Sequence, residues 1–380
     1  MNFDSDILFR LGATALLFGV WIALVSGVLF LIHFLLTLPM RRAERARLFL
    51  DVIETALKSG QPVEETLISV SQSRDLSMGV RFHLLAAWLE QNLRLGDALA
   101  KVPRFLPPQI TAMLMAGQKI GDLRKVLPAS RQLLKDAVSQ TRGAISYLVI
   151  LTFVITPLGI WIFGILQIVV VPKFFDISVS LGGNPAPIAF LYGHQLAVIL
   201  VQGFVLLSLW FAAIIYIGGP RVVSWLPVLE RVHYRLPWRR KRMQRDFSTM
   251  LAILLDSGIS EPEAVTLASD CAANRVFRRR AARAVEDLKQ GLKLTQAVQT
   301  MDDSGEFGWR LTNAFHGGAG FLPALGGWHE SLDAKAFQQE QAAAHGITTA
   351  LVLWSGLFVG AVVISVFMFL ISIIDEGVLW

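Results

Sequence analysis

The chain has 380 residues, of which 54% are hydrophobic and only 17% charged, and its mean hydropathy is positive. That is too apolar for one soluble globule yet leaves room for sizeable polar domains, so a mixed membrane protein is expected. The net charge of +6 does not point to nucleic acid, because the basic residues sit beside apolar runs or interleave with acids, and anionic lipid headgroups account for them.

In chain order, four stretches lack Asp, Glu, Lys and Arg: Leu11–Met40, Gly143–Pro172, Ile177–Pro220 and Gln341–Ile374. Each is long enough to cross roughly 30 Å of hydrocarbon at about 1.5 Å per helical residue. Their apolar cores, Leu11–Leu38, Ile145–Val171, Ile188–Ile217 and Ile347–Ile374, are the expected membrane spans. The first reads as an uncleaved signal anchor, since its apolar run is long and no Ala-x-Ala-like site follows. Of 35 Lys and Arg, 16 fall in residues 41–142 and 17 in residues 221–340. Arg41, Arg42, Arg45, Arg47, Arg142 and Arg221 lie close to the spans and place both large loops in the cytoplasm, whereas the opposite side carries Asp4, Asp6, Lys173, Asp176, Asp375 and Glu376. The expected layout is therefore a span in 1–40, a cytoplasmic domain in 41–143, a span in 144–172, a short periplasmic loop in 173–187, a span in 188–218, a second cytoplasmic domain in 219–345, a span in 346–375 and a periplasmic tail in 376–380. Both termini are expected outside the cytoplasm. In the second span, Pro157 is expected to kink the helix unless neighbours satisfy the freed carbonyl.

An internal repeat organises the polar regions. Phe49, Val52, Ile53, Ala56 and Leu57 follow the i, i+3, i+4, i+7, i+8 spacing of one apolar helical face and are followed by Gly60. Phe247, Met250, Leu251, Leu254 and Leu255 repeat it, followed by Gly258, so Ser59-Gly60 and Ser257-Gly258 end equivalent helices. Pro62 opens the next helix in the first copy, and Ser260 with Glu263 forms a capping box in the second. Residues 89–99 then match residues 288–298. Each copy reaches a glycine turn, with Gly117, Gly121 and Leu123 in the first and Gly317 and Gly320 in the second, and each runs into a span. The fold class expected is an all-α integral membrane protein with two repeated cytoplasmic helical-bundle domains and about four transmembrane helices.

Chemistry is sparse. There is no P-loop and no His-Glu-x-x-His or paired-cysteine motif, so no catalytic, metal or cofactor-binding residue is expected. His316-Gly317-Gly318-Ala319-Gly320 lacks an accompanying nucleophile elbow and occupies the slot of a helix-connecting turn. The spans contain only uncharged polar groups such as His33, Gln167, His194 and Gln202, which argues against an ion-coupled transporter. The lone Cys271 excludes an intrachain disulfide and reads as a small buried hydrophobe. The most conspicuous cluster is Arg239-Arg240-Lys241-Arg242 with Arg245. It is either a lipid-facing stripe or a docking surface for an acidic partner. A second cluster, Arg278-Arg279-Arg280 with Arg283, reads as a solvated helix face.

These residues resemble the inner-membrane platform family of type IV pilus and type II secretion systems, the F-domain proteins, over about residues 45–374. The resemblance rests on Arg245-Asp246-Phe247 through Leu251, Leu254, Leu255 and Ser257-Gly258-Ile259, preceded by Leu226-Pro227-Val228-Leu229. It also rests on Val171-Pro172-Lys173-Phe174 with Gly182, Gly183, Pro185 and Pro187, similar to the family's periplasmic hairpin, and on the Gly117-x-x-x-Gly121-x-Leu123 turn. Gln118 stands where the family usually has Glu, and an added first span resembles the type IVb or conjugative thin-pilus branch. The resemblance implies a non-enzymatic role in the bacterial inner membrane without cofactors. The implied partners are a cytoplasmic hexameric ATPase, pilins, other inner-membrane pilus alignment proteins, the bilayer and further copies of the chain. Tad-type secretion components, which usually carry a single such domain, and transporters are the rival readings.

Overall fold

The computed structural model describes Gly27, Arg41 and residues 43–73, 78–139, 151–180, 186–223, 227–302, 305–317 and 320–378. Among these residues every regular element is a helix. The chain divides into two compact units, Met1–Pro107 and Pro108–Trp380.

The first unit holds α1 (43–59), α2 (Val63–Ser71), α3 (Val80–Glu90) and α4 (Leu95–Lys101). Phe49 is fully buried at its centre, with Phe82 at 6.3 Å and Phe105 at 5.1 Å, both edge-on to its ring. Edge-to-face aromatic pairs of this kind add about 0.5–1.5 kcal/mol beyond burial. Gly60 ends α1 at φ +71°, and the Gln61 amide reaches back to the Ala56 carbonyl, a closure that L side chains resist.

In the second unit come α5 (Pro108–Ile120), a 3₁₀ turn (Leu123–Lys125) and α6 (Leu127–Ser139). Next are α7 (Thr156–Ile165), α8 (Val171–Ser180), α9 (Ala186–Gly193) and α10 (Gln195–Val223). Then come α11 (Pro227–Arg235), α12 (Pro237–Asp256), α13 (Glu261–Cys271), α14 (Arg275–Lys289), α15 (Leu294–Ala297), α16 (Glu306–Gly317) and α17 (Phe321–Val378). The packing around Phe247 matches that around Phe49: Phe277 lies at 5.2 Å and Phe307 at 6.2 Å, again edge-on. The Leu89–Leu99 and Leu288–Val298 stretches correspond as well. Asn92 (φ 59°) and Gly291 (φ 92°) take the same left-handed position, and the short helices behind them bury Leu95 and Ala98, and Leu294 and Ala297. Gly and Asn are the residues that reach αL at least cost.

Among the described residues, two helices are long and apolar enough to cross a membrane, Gln195–Ala213 within α10 and Phe321–Met368 within α17. Leu196, Leu200, Phe204, Leu207 and Phe211 form an exposed apolar stripe on α10, as suits a hydrocarbon solvent. Gln195–Ala213 falls within the expected third span, and Phe321–Met368 overlaps the expected fourth span from Ile347 to Met368 but begins well ahead of it. The expected first span, apart from Gly27, and residues 145–150 of the second lie outside the described residues.

From 151 to 180 the chain is continuously helical, with π turns at Leu151–Ile155 and Leu166–Val170. Each π turn ends two residues before a proline, Pro157 or Pro172. A proline cannot donate to the turn before it, and widening that turn accommodates the loss. At Pro157 the neighbours also contribute: the Thr156 hydroxyl donates to the Leu151 carbonyl (2.8 Å) and Trp210 Nε1 on α10 to the Thr152 carbonyl (3.1 Å). Within the expected short periplasmic loop, 173–187, the chain is helical through Ser180 and again from Ala186. Phe174 packs with Phe175 and Leu191 onto Val171 and Ile188, and the Phe175 and Tyr192 rings stack at 4.3 Å, so apolar contact sustains helix there.

Candidate functional site

The basic cluster at 239–245 lies on α12, and helical geometry separates its members. Arg239, Arg242 and Arg245 recur every third residue on one face, which is buried; Arg240 and Lys241 lie on a more open one. Three of the five cations in the cluster expected as a lipid-facing stripe or docking surface are thus buried, and two of them, Arg242 and Arg245, meet carboxylates of α17.

There they form a polar seam. Arg242 Nη2 donates to Glu340 Oε2 at 2.5 Å, with both side chains buried. Arg245 pairs with Asp333, and its Nη2 lies 2.6 Å from Asp246 Oδ1. Gln132 Nε2 on α6 donates to the other Asp333 oxygen at 3.2 Å. Further along, His329 Nε2 lies 2.8 Å from Ser248 Oγ. At the far end Asp256 accepts from the amides of Phe321 (2.8 Å) and Leu322 (3.0 Å), capping α17 where positive dipole density favours a carboxylate. As α12 positions rise from 242 to 256, their partners fall from 340 to 321, so the two helices run antiparallel in one register. Buried Arg242 and Arg245 persist because each has a carboxylate within reach; removing one partner of such a pair costs about 3–5 kcal/mol.

Burial sets the titration of the groups around this seam. It lowers Arg239 to about 10. His329 falls to about 4 through burial first and then the Arg245 and Arg310 cations, so its imidazole is neutral at pH 7. Lys241 is held below its ordinary value by burial, then by Lys335 and Arg240. With Lys335 exposed on α17, these three cations make a basic ridge on the outside of the seam.

The other residues singled out from sequence are structural. Gly117 lies inside α5, where a Cβ would stand 2.5 Å from Val126 Cγ2, and Gly121 ends the helix at φ +81°. Leu123 opens the 3₁₀ turn that Asp122 caps through the Arg124 amide (2.9 Å). Gly258 ends α12 at φ +78°, and Gly320 precedes α17 at φ +89° beside the Asp256 carboxylate. Ser260 caps α13 without a side-chain hydrogen bond, and Glu263 pairs instead with Lys119 on α5, so the expected capping box is replaced by an ion pair between helices. Glu340, Asp333, His329 and Ser248 were not singled out from sequence. Their only local signal is the seven-residue spacing of Asp333 and Glu340, two helical turns apart.

The family model for protein F of the type II secretion system matches residues 49–172 and again residues 247–369, beginning both times on the phenylalanine at the centre of an aromatic cluster. The chain belongs to the protein F family. Relatives named "Type II secretion system protein F" include one from Aeromonas hydrophila, 27% identical over 275 residues, covering 65% of this chain and 65% of the relative. Others are from Pseudomonas aeruginosa, 23% identical and covering 67% of this chain and 64% of the relative, and Vibrio cholerae serotype O1, 25% identical with 65% and 62% covered. The chain thus spans just under two thirds of the length of these protein F relatives. The second protein F match contains every α12 and α17 residue of the seam from Ser248 through Glu340, while Arg242 and Arg245 lie just ahead of it.

Proposed function

We propose that this chain is the inner-membrane platform of a type IV pilus or type II secretion machine. In this reading it couples a cytoplasmic hexameric ATPase to the insertion of pilin subunits into a growing filament. It crosses the membrane four times, holds both F domains, 41–143 and 219–345, in the cytoplasm, and turns the 173–187 segment around Pro172 and Phe174, with both termini, to the periplasm. It works as a homo-oligomer with pilins and alignment proteins around it and carries out no chemistry of its own.

The observation that carries the reading is the seam. A helix of 58 residues, about 87 Å long at 1.5 Å per residue, is gripped over its first third by α12 and is apolar enough to span a bilayer further on. Such a rod transmits rigid-body movement from a soluble partner into the membrane. The ridge of Arg240, Lys241 and Lys335 is the motor-facing surface in this reading, since mutually repelling cations favour an acidic partner. Reversing all three to Glu is expected to weaken capture of the motor ATPase by the full-length protein about tenfold or more, from contributions of about 0.2–1 kcal/mol per rim charge. Motor capture at the unaltered level by a variant that still inserts would dismiss the ridge as the docking site.

A further inference from the structure

Helix α11 is nine residues long and follows the membrane helix α10 after residues 224–226. Its two faces differ in kind. Glu230 and Tyr234 turn inwards: Glu230 pairs with Arg275 on α14 at 3.6 Å, and the Tyr234 ring lies beneath Arg280 at 4.8 Å. The opposite face carries Val228, Arg231, Val232 and Arg235 at i, i+3, i+4 and i+7, all exposed, with the valines 65% and 51% accessible. Through these contacts α11 abuts α14, which is capped by Asn274 and buries Phe277, Ala281 and Ala284 while exposing Arg275, Arg278, Arg279 and Arg283. Arg278 pairs with Asp270 at 3.5 Å; Arg279 and Arg283 make no ion pair among the described residues.

We infer that the outer face of α11, continued by the exposed arginines of α14, docks on anionic phospholipid headgroups. The chemistry selects this occupant. Two accessible valines interleaved with two arginines on one helical face suit the boundary between acyl chains and headgroups, where the apolar groups enter and the guanidinium groups reach up to phosphate. An acidic soluble protein would satisfy the arginines and leave the valines in water. Continuity with α10 puts this face beside the bilayer. The inference requires only that α10 spans the membrane and is independent of motor coupling.

The test uses the full-length protein with Val232→Cys labelled by a small fluorophore. Cys271 is fully buried, and burial foremost pushes its thiol pKa up, so it does not compete for the label. The protein is placed in nanodiscs of phosphatidylcholine alone or mixed with phosphatidylglycerol, with brominated acyl chains as quencher. Quenching is expected only with phosphatidylglycerol. The content needed for half-maximal quenching should rise about fivefold for each arginine removed by Arg279→Gln or Arg283→Gln, since a cation beside an anionic surface contributes about 1 kcal/mol. Arg231→Glu with Arg235→Glu should abolish quenching, whereas Arg231→Lys with Arg235→Lys should retain it, which separates lost charge from lost fold. Equal quenching in both lipids would overturn the anionic requirement. A label open to aqueous iodide and unquenched in either lipid would overturn lipid docking altogether and assign the face to an acidic protein, whatever the motor-capture experiment shows.

Discussion

Gly117 shows how a single missing side chain positions a turn. With no Cβ, the last coil of α5 closes onto Leu123 and Val126, and an added methyl would meet the valine at 2.5 Å. Gly117→Ala is expected to cost about 1–3 kcal/mol, as overpacked cores do. That should lower the thermal midpoint of the purified protein, followed by intrinsic fluorescence, by a few degrees per kcal/mol, about 2–4 °C for a unit of this size. Adding Val126→Ala should recover part of the loss by opening the space; no recovery would place the strain elsewhere. In sequence Gly117 belongs to a recognisable glycine motif, but the motif does not say that this glycine acts by close packing while Gly121 acts by its positive φ.

At the scale of elements, the α12–α17 seam combines arginines that stay charged with a histidine that stays neutral. The folded protein holds His329 at about 4 against an ordinary 6.5. Between these values the unfolded chain binds the proton and the folded one does not, so stability rises with pH across that interval. The contribution is complete above about pH 6.5 and is lost as pH falls towards about 4. Thermal unfolding measured from pH 7 down to pH 4 is expected to show this decline, and His329→Gln, which cannot titrate, should flatten it. An unchanged pH profile in that variant would assign the acid sensitivity to other groups. The partners that join α12 to α17 are 65 or more residues apart in sequence and were not legible there. Arg239, Arg242 and Arg245 share one face by helical geometry, but only tertiary packing decides that this face is the inner one.

For the molecule as a whole, the single rod of α17 carries the coupling reading. Ala342 is exposed just beyond Glu340, so replacing it removes no packing. Ala342→Pro breaks the hydrogen-bond ladder at a cost of about 3 kcal/mol or more and kinks the helix between seam and membrane. The variant is expected to insert and to capture the motor while filament assembly or export, measured beside the unaltered protein, is lost. Export at the full level would show that movement reaches the membrane by another route.

Sequence alone determined the helical class, the apolar character of α10 and of the later part of α17, and the correspondence of the two stretches that the family model matches. Each of these rests on local signals: uninterrupted apolar runs, a 3.6-residue period and glycines where the backbone turns left-handed. Only the tertiary structure decided which cations are buried, where Glu263 finds its partner and how the carbonyls near Pro157 are satisfied. Those outcomes depend on which distant helix arrives alongside, because a charged or polar group settles where its partner and its desolvation together cost least, and local spacing carries no record of that partner.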